Sequence, residues 1–214
     1  MIPIMKKHLV IYIFFFNFPF ADIAYGQFAY GTTGLLHMPT ADMHRDKTVM
    51  VGTSYLDIAA MPGEWNYNTW NYYWNLTFFP WLEVGYVCTL LKMAVPELQL
   101  HNKFRNQDRH FAVRLRLWKE SWWKPWTPQV VLGTNDPGMS SHSNGFGSAS
   151  ATGSDYWNRY YLAMSKHFSW KKVVDIGVHV AYLYNRRELN HYNGLVIGAN
   201  LRFNLPESSF GNKL

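Results

Sequence analysis

The sequence predicts an all-β protein: an antiparallel transmembrane β-barrel of about eight strands after a cleaved signal peptide. Three observations predict it. Apolar residues recur at every second position through several long runs. Aromatic residues reach 18% of the chain, with ten Trp and fourteen Tyr, while charged residues make up only 16%, an excess of amphipathic rings that ordinary soluble domains lack. The N-terminus has the pattern of an export signal, and its apolar run is shorter than the roughly 20 residues of a spanning helix. A length of 214 residues suits one domain.

The opening "MKKHLVIYIFFFNFPFADIAYG" sets Lys6 and Lys7 before an apolar stretch from Leu9 to Phe20, with the small residues Ala24 and Gly26 at its end. This divides the chain into a signal peptide at 1–26, a Gly/Pro-containing lead-in or plug-like segment at 27–46, an outer-membrane barrel at 47–205 and a C-terminal tail at 206–214. Gln27 would begin the mature chain, with no cysteine near the cut to carry a lipid anchor. The single cysteine, Cys88, excludes an intramolecular disulfide, so stability must come from the sheet itself.

In the lead-in, Gly31 and Gly34 permit tight turns, Pro39 blocks helix before it, and Thr40 is placed to cap a short turn through Ala41 and Met43. The segment either folds into the barrel mouth or simply covers apolar surface before the first strand. A phosphate-cradling loop is excluded, because no strand precedes it and no Gly-Lys-[Ser/Thr] ends it.

The strands follow from alternation. Lys47 to Ile58 is the first. In "TWNYYWNLTF", Trp70, Tyr72, Trp74, Leu76 and Phe78 oppose Asn71, Tyr73, Asn75 and Thr77. In "LEVGYVCTL", Leu82, Val84, Tyr86, Cys88 and Leu90 oppose Glu83, Gly85, Val87 and Thr89. "RHFAVRLRLW" sets Phe111, Val113, Leu115 and Leu117 against His110, Ala112, Arg114 and Arg116. Pro128 to Thr134 and Tyr156 to His167 follow, and then "VDIGVHVAY" and "GLVIGANLRF" repeat the period with small or charged residues on the polar side.

If the strands run alternately out and back from a periplasmic start, the outer connections are Ala60 to Glu64, Lys92 to Gln107, Asn135 to Asp155 and Arg187 to His191. The inner ones are Pro80, Lys119 to Thr127 and Ser169 to Lys172. Long outer loops opposite short inner turns are the asymmetry of outer-membrane barrels. Trp81, Trp118, Trp122, Trp123, Trp126 and Trp170 cluster at the inner turns, where an interfacial girdle belongs. A soluble sandwich would need no such correlation. The formal charge of +6 is scattered among apolar runs instead of gathered in a basic stripe, which argues against nucleic acid as a partner.

Four segments, "GTTGLLHMPTADM" (Gly31 to Met43), "DRHFAVRLRLWKE" (Asp108 to Glu120), "PQVVLGTND" (Pro128 to Asp136) and "YYLAMSKHF" (Tyr160 to Phe168), together resemble the YjbH-like outer-membrane family associated with exopolysaccharide biosynthesis and export. The resemblance rests on their order: a Gly-x-x-Gly segment ending Met-Pro-[Ser/Thr]-Ala, an Asp-Arg-x-Phe strand, a strand ending Gly-x-x-Asp, and a Tyr-x-x-x-Ser-Lys strand. It implies an outer-membrane barrel with a role in making or exporting a secreted polysaccharide. Two departures stand out: family members are much longer, and the Asn135 to Asp155 loop is expanded here.

Strand parity directs Glu83, Arg114, Arg116, Arg159, Asp175, His179 and Arg202 inward. In a small barrel such charges usually pair to close the interior. The other reading is an anion-attracting lumen, since Arg outnumbers acid there and binds carboxylates such as those of uronic acids bidentately. Trp65, Tyr67 and Phe146 in the outer loops are candidate stacking contacts for sugar rings. A lipid-modifying enzyme would want a Ser activated by His; the nearest candidates are Ser165 with His167, which parity points to the lumen at the inner end and away from the outer leaflet, and Ser141, His142 and Ser143 in the Gly- and Ser-rich outer loop, which reads as flexible, so no catalytic residue is expected. His37, Asp42, His44 and Asp46 read as solvated leader residues, and neither a metal nor a cofactor is expected.

The sequence thus points to a non-enzymatic accessory of exopolysaccharide production or export in the bacterial outer membrane, with membrane lipid, extracellular polysaccharide and other export-system proteins as partners. The alternatives are an outer-membrane lipid-modifying enzyme and a soluble periplasmic β-sandwich that binds glycan.

Overall fold

The computed structural model describes residues 31–57, 59, 68–95, 100–135, 159–170, 173–185 and 193–203. The expected signal peptide, the C-terminal tail, most of the Asn135 to Asp155 loop, and Trp65, Tyr67, Ser141, His142, Ser143 and Phe146 lie outside them.

The chain is all-β. A short hairpin of β1 (Gly34–Leu35) and β2 (Met38–Pro39) precedes eight longer strands: β3 (Thr48–Leu56), β4 (Asn68–Phe79), β5 (Leu82–Val95), β6 (Leu100–Trp118), β7 (Gln129–Asn135), β8 (Arg159–Trp170), β9 (Val174–Asn185) and β10 (Gly194–Phe203). The eight form one antiparallel sheet in which each strand pairs with its sequence neighbour, curled into a half-barrel. The sheet order ends at β3 and β10, with no pairing between those two strands among the described residues.

The period of two written in the sequence is the period of burial. On β4, Asn71, Tyr73, Asn75 and Thr77 are buried while Tyr72, Trp74 and Phe78 are exposed. On β8, Tyr161, Ala163 and Ser165 turn inward while Tyr160, Leu162 and Met164 turn out. The concave side is therefore the polar one.

One loop expectation is corrected. Lys92 to Gln107 is mostly ladder, because β5 extends to Val95 and β6 begins at Leu100, with Lys92 opposite Phe104 and Val95 opposite Leu100. The run "HNKFRNQD" lacks apolar alternation and so reads as loop, but a hairpin ladder is held by backbone hydrogen bonds, which need no apolar pattern. β8 also runs further than expected, to Trp170, before a turn closed by Val173 N–H on the Trp170 carbonyl at 3.0 Å.

The turns β4–β5, β6–β7 and β8–β9 lie at one end of this meander and carry Trp81, Trp118, Trp122, Trp123, Trp126 and Trp170, all exposed. The β6–β7 turn is internally tied: Ser121 N–H donates to the Thr127 carbonyl at 3.0 Å, and the Thr127 hydroxyl to that of Lys124 at 2.8 Å. Lys124 Nζ stands 4.7 Å from the Trp123 ring centroid.

The segment from Gly31 to Met43 lies within the concavity and supplies much of the core. Met38, Ala41 and Met43 pack with Val131, Tyr161, Ala163, Ala181 and Leu183, flanked by Leu35 and Val196. Two glycines make room for it. Gly31 has a φ of +89° and sits where a Cβ would press on Tyr73 and Val87. At the far side of the sheet, a Cβ on Gly198 would stand 2.5 Å from Met38 Sδ and 2.7 Å from Leu35 Cδ1. Thr40 does shape a turn, its hydroxyl accepting the Asp42 N–H at 3.3 Å.

Candidate functional site

The concave face holds two linked polar clusters. The first is a buried ion pair between β5 and β6. Glu83 and Arg114 face each other in the ladder and meet at 3.0 Å, both fully buried. Every oxygen of the carboxylate is used: Asn75 Nδ2 donates to Oε1 at 2.6 Å, Thr33 N–H to Oε1 at 3.2 Å and the Thr33 hydroxyl to Oε2 at 3.1 Å. Arg114 also donates to the main-chain carbonyls of Thr40 and Asp42, the second at 2.9 Å. A buried ion pair is tolerable only where further hydrogen bonds support it, and here Asn75 and the inserted segment supply most of them, leaving Arg114 Nε without a partner.

The second cluster is centred on Asp42. Its Oδ1 lies 3.5 Å from His167 Nε2 on β8, and its Oδ2 lies 3.9 Å from His179 Nδ1 on β9. His167 is gripped from behind by Glu120, whose Oε2 is 2.8 Å from Nδ1 and whose Oε1 accepts the His167 backbone N–H at 2.8 Å. Lys166 Nζ meets the same Glu120 at 3.0 Å. His179 is held between Ser165 Oγ, 2.8 Å from Nδ1, and Asn200 Oδ1, 2.9 Å from Nε2. Ser165 Oγ in turn accepts the Ala41 N–H at 2.8 Å, and Gln129 Nε2 donates to the Ala41 carbonyl.

Burial alone would push the Asp42 carboxyl up, but the hydrogen bond it accepts from His167 and the attraction of the His167, His179 and Arg114 side chains outweigh this and hold it below its ordinary value. Glu120 behaves likewise: burial opposes its charge, and the hydrogen bonds from the His167 backbone and ring and from Lys166 prevail, so it too lies low. His44 is shifted down, chiefly by burial.

Beside Asp42 and His167 lies a cavity of about 460 Å³ at the Trp-rich end of the sheet, walled by Arg116, Glu120, Gln129, Asp175, Asn200 and Arg202 among others. The seven charged residues singled out in the sequence thus divide. Glu83 and Arg114 form the buried pair, His179 belongs to the Asp42 cluster, and Arg116, Asp175 and Arg202 border the cavity, with Arg202 largely exposed at the end of β10. Arg159 is buried opposite Asn185 and Asn135 at the other end.

Sequence reasoning misjudged two of these residues. Asp42 is buried, not solvated, and its neighbours are His167 and His179, more than a hundred positions away, instead of His37, His44 and Asp46. Ser165 bonds His179, directly opposite it on the neighbouring strand β9, not His167 on its own strand. The parity of His167 and His179 was readable; that the leader folds back between them was not.

The segments that build these clusters, Gly31 to Met43 with β6, β7 and β8, lie within the stretch that comparison with known families recognises. The YjbH family, described as exopolysaccharide biosynthesis protein YbjH, matches residues 26–195. The chain belongs to this family. Among individual proteins, the uncharacterized lipoprotein YjbH of Escherichia coli (strain K12) is 31% identical over 120 residues, which cover 55% of this chain and 15% of that relative. The chain therefore spans only a small part of the relative's length. No solved structure matches it.

Proposed function

We propose that this YjbH-family chain is an outer-membrane β-barrel unit that serves exopolysaccharide production or export as a non-enzymatic accessory. The observation that carries the reading is the outward face of the sheet. Val51, Trp74, Leu132, Leu162, Tyr182 and Ile197, on six different strands, are all exposed large apolar or aromatic residues, while the concave face carries the buried charged and polar groups beside the small core under the inserted segment. An apolar belt of that extent around a polar interior suits lipid outside the sheet, because a soluble protein rarely leaves so large a patch in water. The ring of exposed Trp at the short-turn end fits one headgroup boundary.

Family membership supplies the link to exopolysaccharide biosynthesis, and the lipoprotein name of the Escherichia coli relative favours a membrane-associated place in the cell envelope. The inserted segment supports the accessory role, because it occupies the concave side and would make this unit a poor conduit for a polymer. Its partners on this reading are outer-membrane lipid, the polysaccharide and other proteins of the export system.

The test is membrane fractionation followed by a mobility comparison of boiled and unboiled protein, together with polysaccharide output from a deletion strain. A heat-dependent shift in the outer-membrane fraction and reduced or altered polysaccharide support the reading. Recovery as a soluble periplasmic protein without a shift sinks it and favours the glycan-binding sandwich.

A further inference from the structure

The Asp42 cluster differs from an ordinary satisfied polar core in how its rings are turned. A carboxylate can only accept, so the proton on His167 Nδ1 points at Glu120, and Nε2 is the nitrogen turned toward Asp42. The Asn200 carbonyl oxygen likewise takes the proton of His179 Nε2, leaving Nδ1 as the lone-pair nitrogen on the Asp42 side. His179 therefore presents a lone-pair nitrogen on the Asp42 side, whereas His167 Nε2 carries the proton it shares with Asp42, which a metal ion would displace; each ring has an oxygen behind it to take its outer N–H. That is how metal-ligating histidines are held, with the outer N–H on a carboxylate or carbonyl.

The spacing agrees. The three donor atoms lie within 4.8 Å of one another, and the His167–Asp42 separation is 3.5 Å. Donors around a tetrahedral ion with bonds of about 2.0–2.1 Å stand roughly 3.3 Å apart, so small side-chain adjustments close the set. The hydroxyl proton of Ser165 must turn away from His179 Nδ1, while its oxygen keeps the Ala41 N–H.

We propose that Asp42, His167 and His179 bind a zinc-class divalent metal ion, whose remaining position faces the polar cavity and takes an oxygen ligand such as water or a carboxylate. Two nitrogens and one carboxylate oxygen suit Zn²⁺ and its first-row neighbours better than Ca²⁺ or Mg²⁺, which prefer all-oxygen sites. The ion would tie the inserted segment, through Asp42, to β8 and β9. The site does not depend on whether lipid covers the outer face.

The test uses the full chain, stripped with chelator and then dialysed against micromolar Zn²⁺, with bound metal counted by mass spectrometry. One zinc per chain is expected, abolished in Asp42→Asn and in His167→Ala, and weakened about 10–100-fold in Glu120→Ala, which leaves the ligands but frees the ring. Ser165→Ala is the folding control: it disturbs the same locus, keeps all three donors and should retain zinc. Visible absorption of the Co²⁺-loaded wild-type protein, which is intense for tetrahedral sites, gives a readout independent of any variant. Wild-type protein that takes up no metal overturns the proposal, as does a stoichiometry unchanged in Asp42→Asn and His167→Ala.

Discussion

Arg114 reaches from the Glu83 carboxylate, 3.0 Å from its Nη1, to the Asp42 main-chain carbonyl, 2.9 Å from its Nη2, so one side chain joins two paired strands to the segment lying in the concavity of the sheet. Removing it as Arg114→Met leaves a buried carboxylate facing only Asn75 and Thr33, and leaves two carbonyls of the segment without their donor. Breaking one side of such a pair costs about 3–5 kcal/mol. The double variant Glu83→Leu/Arg114→Met should unfold at higher denaturant than Arg114→Met alone, because it removes the stranded charge. Equal midpoints for Arg114→Met and the wild-type protein would show that the pair holds nothing.

The second prediction concerns Gly198. Met38 and Leu35 lie so close to its backbone that any side chain must displace them. Met38 is flexible enough to yield to a methyl group, so Gly198→Ala should be mild, whereas Gly198→Leu should force the hairpin off β10. Overpacking of this kind costs about 1–3 kcal/mol. Limited proteolysis between residues 31 and 46 reads it directly, and uncut Gly198→Leu protein would mean that the hairpin does not rest on β10.

What was legible in the sequence was whatever period two dictates. Neighbouring residues on a strand must face opposite ways, so the polar face of β4, β5, β6 and β9 could be written down, including Glu83 on the face opposite to the apolar Val84 and Leu82. The register that sets Glu83 opposite Arg114 belongs to the ladder, which shifts at Leu91/Lys92 and at Met93/Val95, and parity alone does not give it. Three further things were not legible. Backbone pairing of Lys92 with Phe104 needs no side-chain pattern. The depth of Asp42 depends on a contact with β8 and β9 that no local signal announces. The partner of Ser165 is set by cross-strand register, which places it opposite His179, whereas proximity in sequence favoured His167. The Met-Pro-Thr-Ala-Asp run had a signal of sorts: it is too apolar and too turn-rich for a leader left in water.

Ser165 distinguishes the accessory reading from an enzyme. Its oxygen already accepts the Ala41 N–H and its proton is directed to His179 Nδ1, each at 2.8 Å, in a buried position. A nucleophile needs a free approach to its oxygen, and this one is packed against the inserted segment. The expected result is that a fluorophosphonate probe leaves the wild-type protein unlabelled, while Ser165→Ala costs about 1–3 kcal/mol by stranding a buried donor and acceptor. Labelling that vanishes in Ser165→Ala would reverse the assignment and make the cluster catalytic.

The outer face provides the last prediction. Leu162 pairs with Leu132 on one side and Tyr182 on the other, and all three project from the convex surface, Leu132 at the centre of β7 and the other two a short way in from the ends of β8 and β9 that lie away from the Trp-rich turns. If that surface meets hydrocarbon, Leu162→Arg places a cation at depth, where the cost in a barrel is about 2–4 kcal/mol. If it meets water, a surface substitution there should stay within about 0.5 kcal/mol. The concave-facing neighbour Ala163 cannot serve as comparison, since it belongs to the core, so the control is Lys124→Ala in the exposed β6–β7 turn, expected to be near neutral. Unfolding of both variants from lipid vesicles should show a large loss for Leu162→Arg alone. Equal stability of the two would mean that the apolar belt is not a lipid face, and would direct attention to a protein partner covering it.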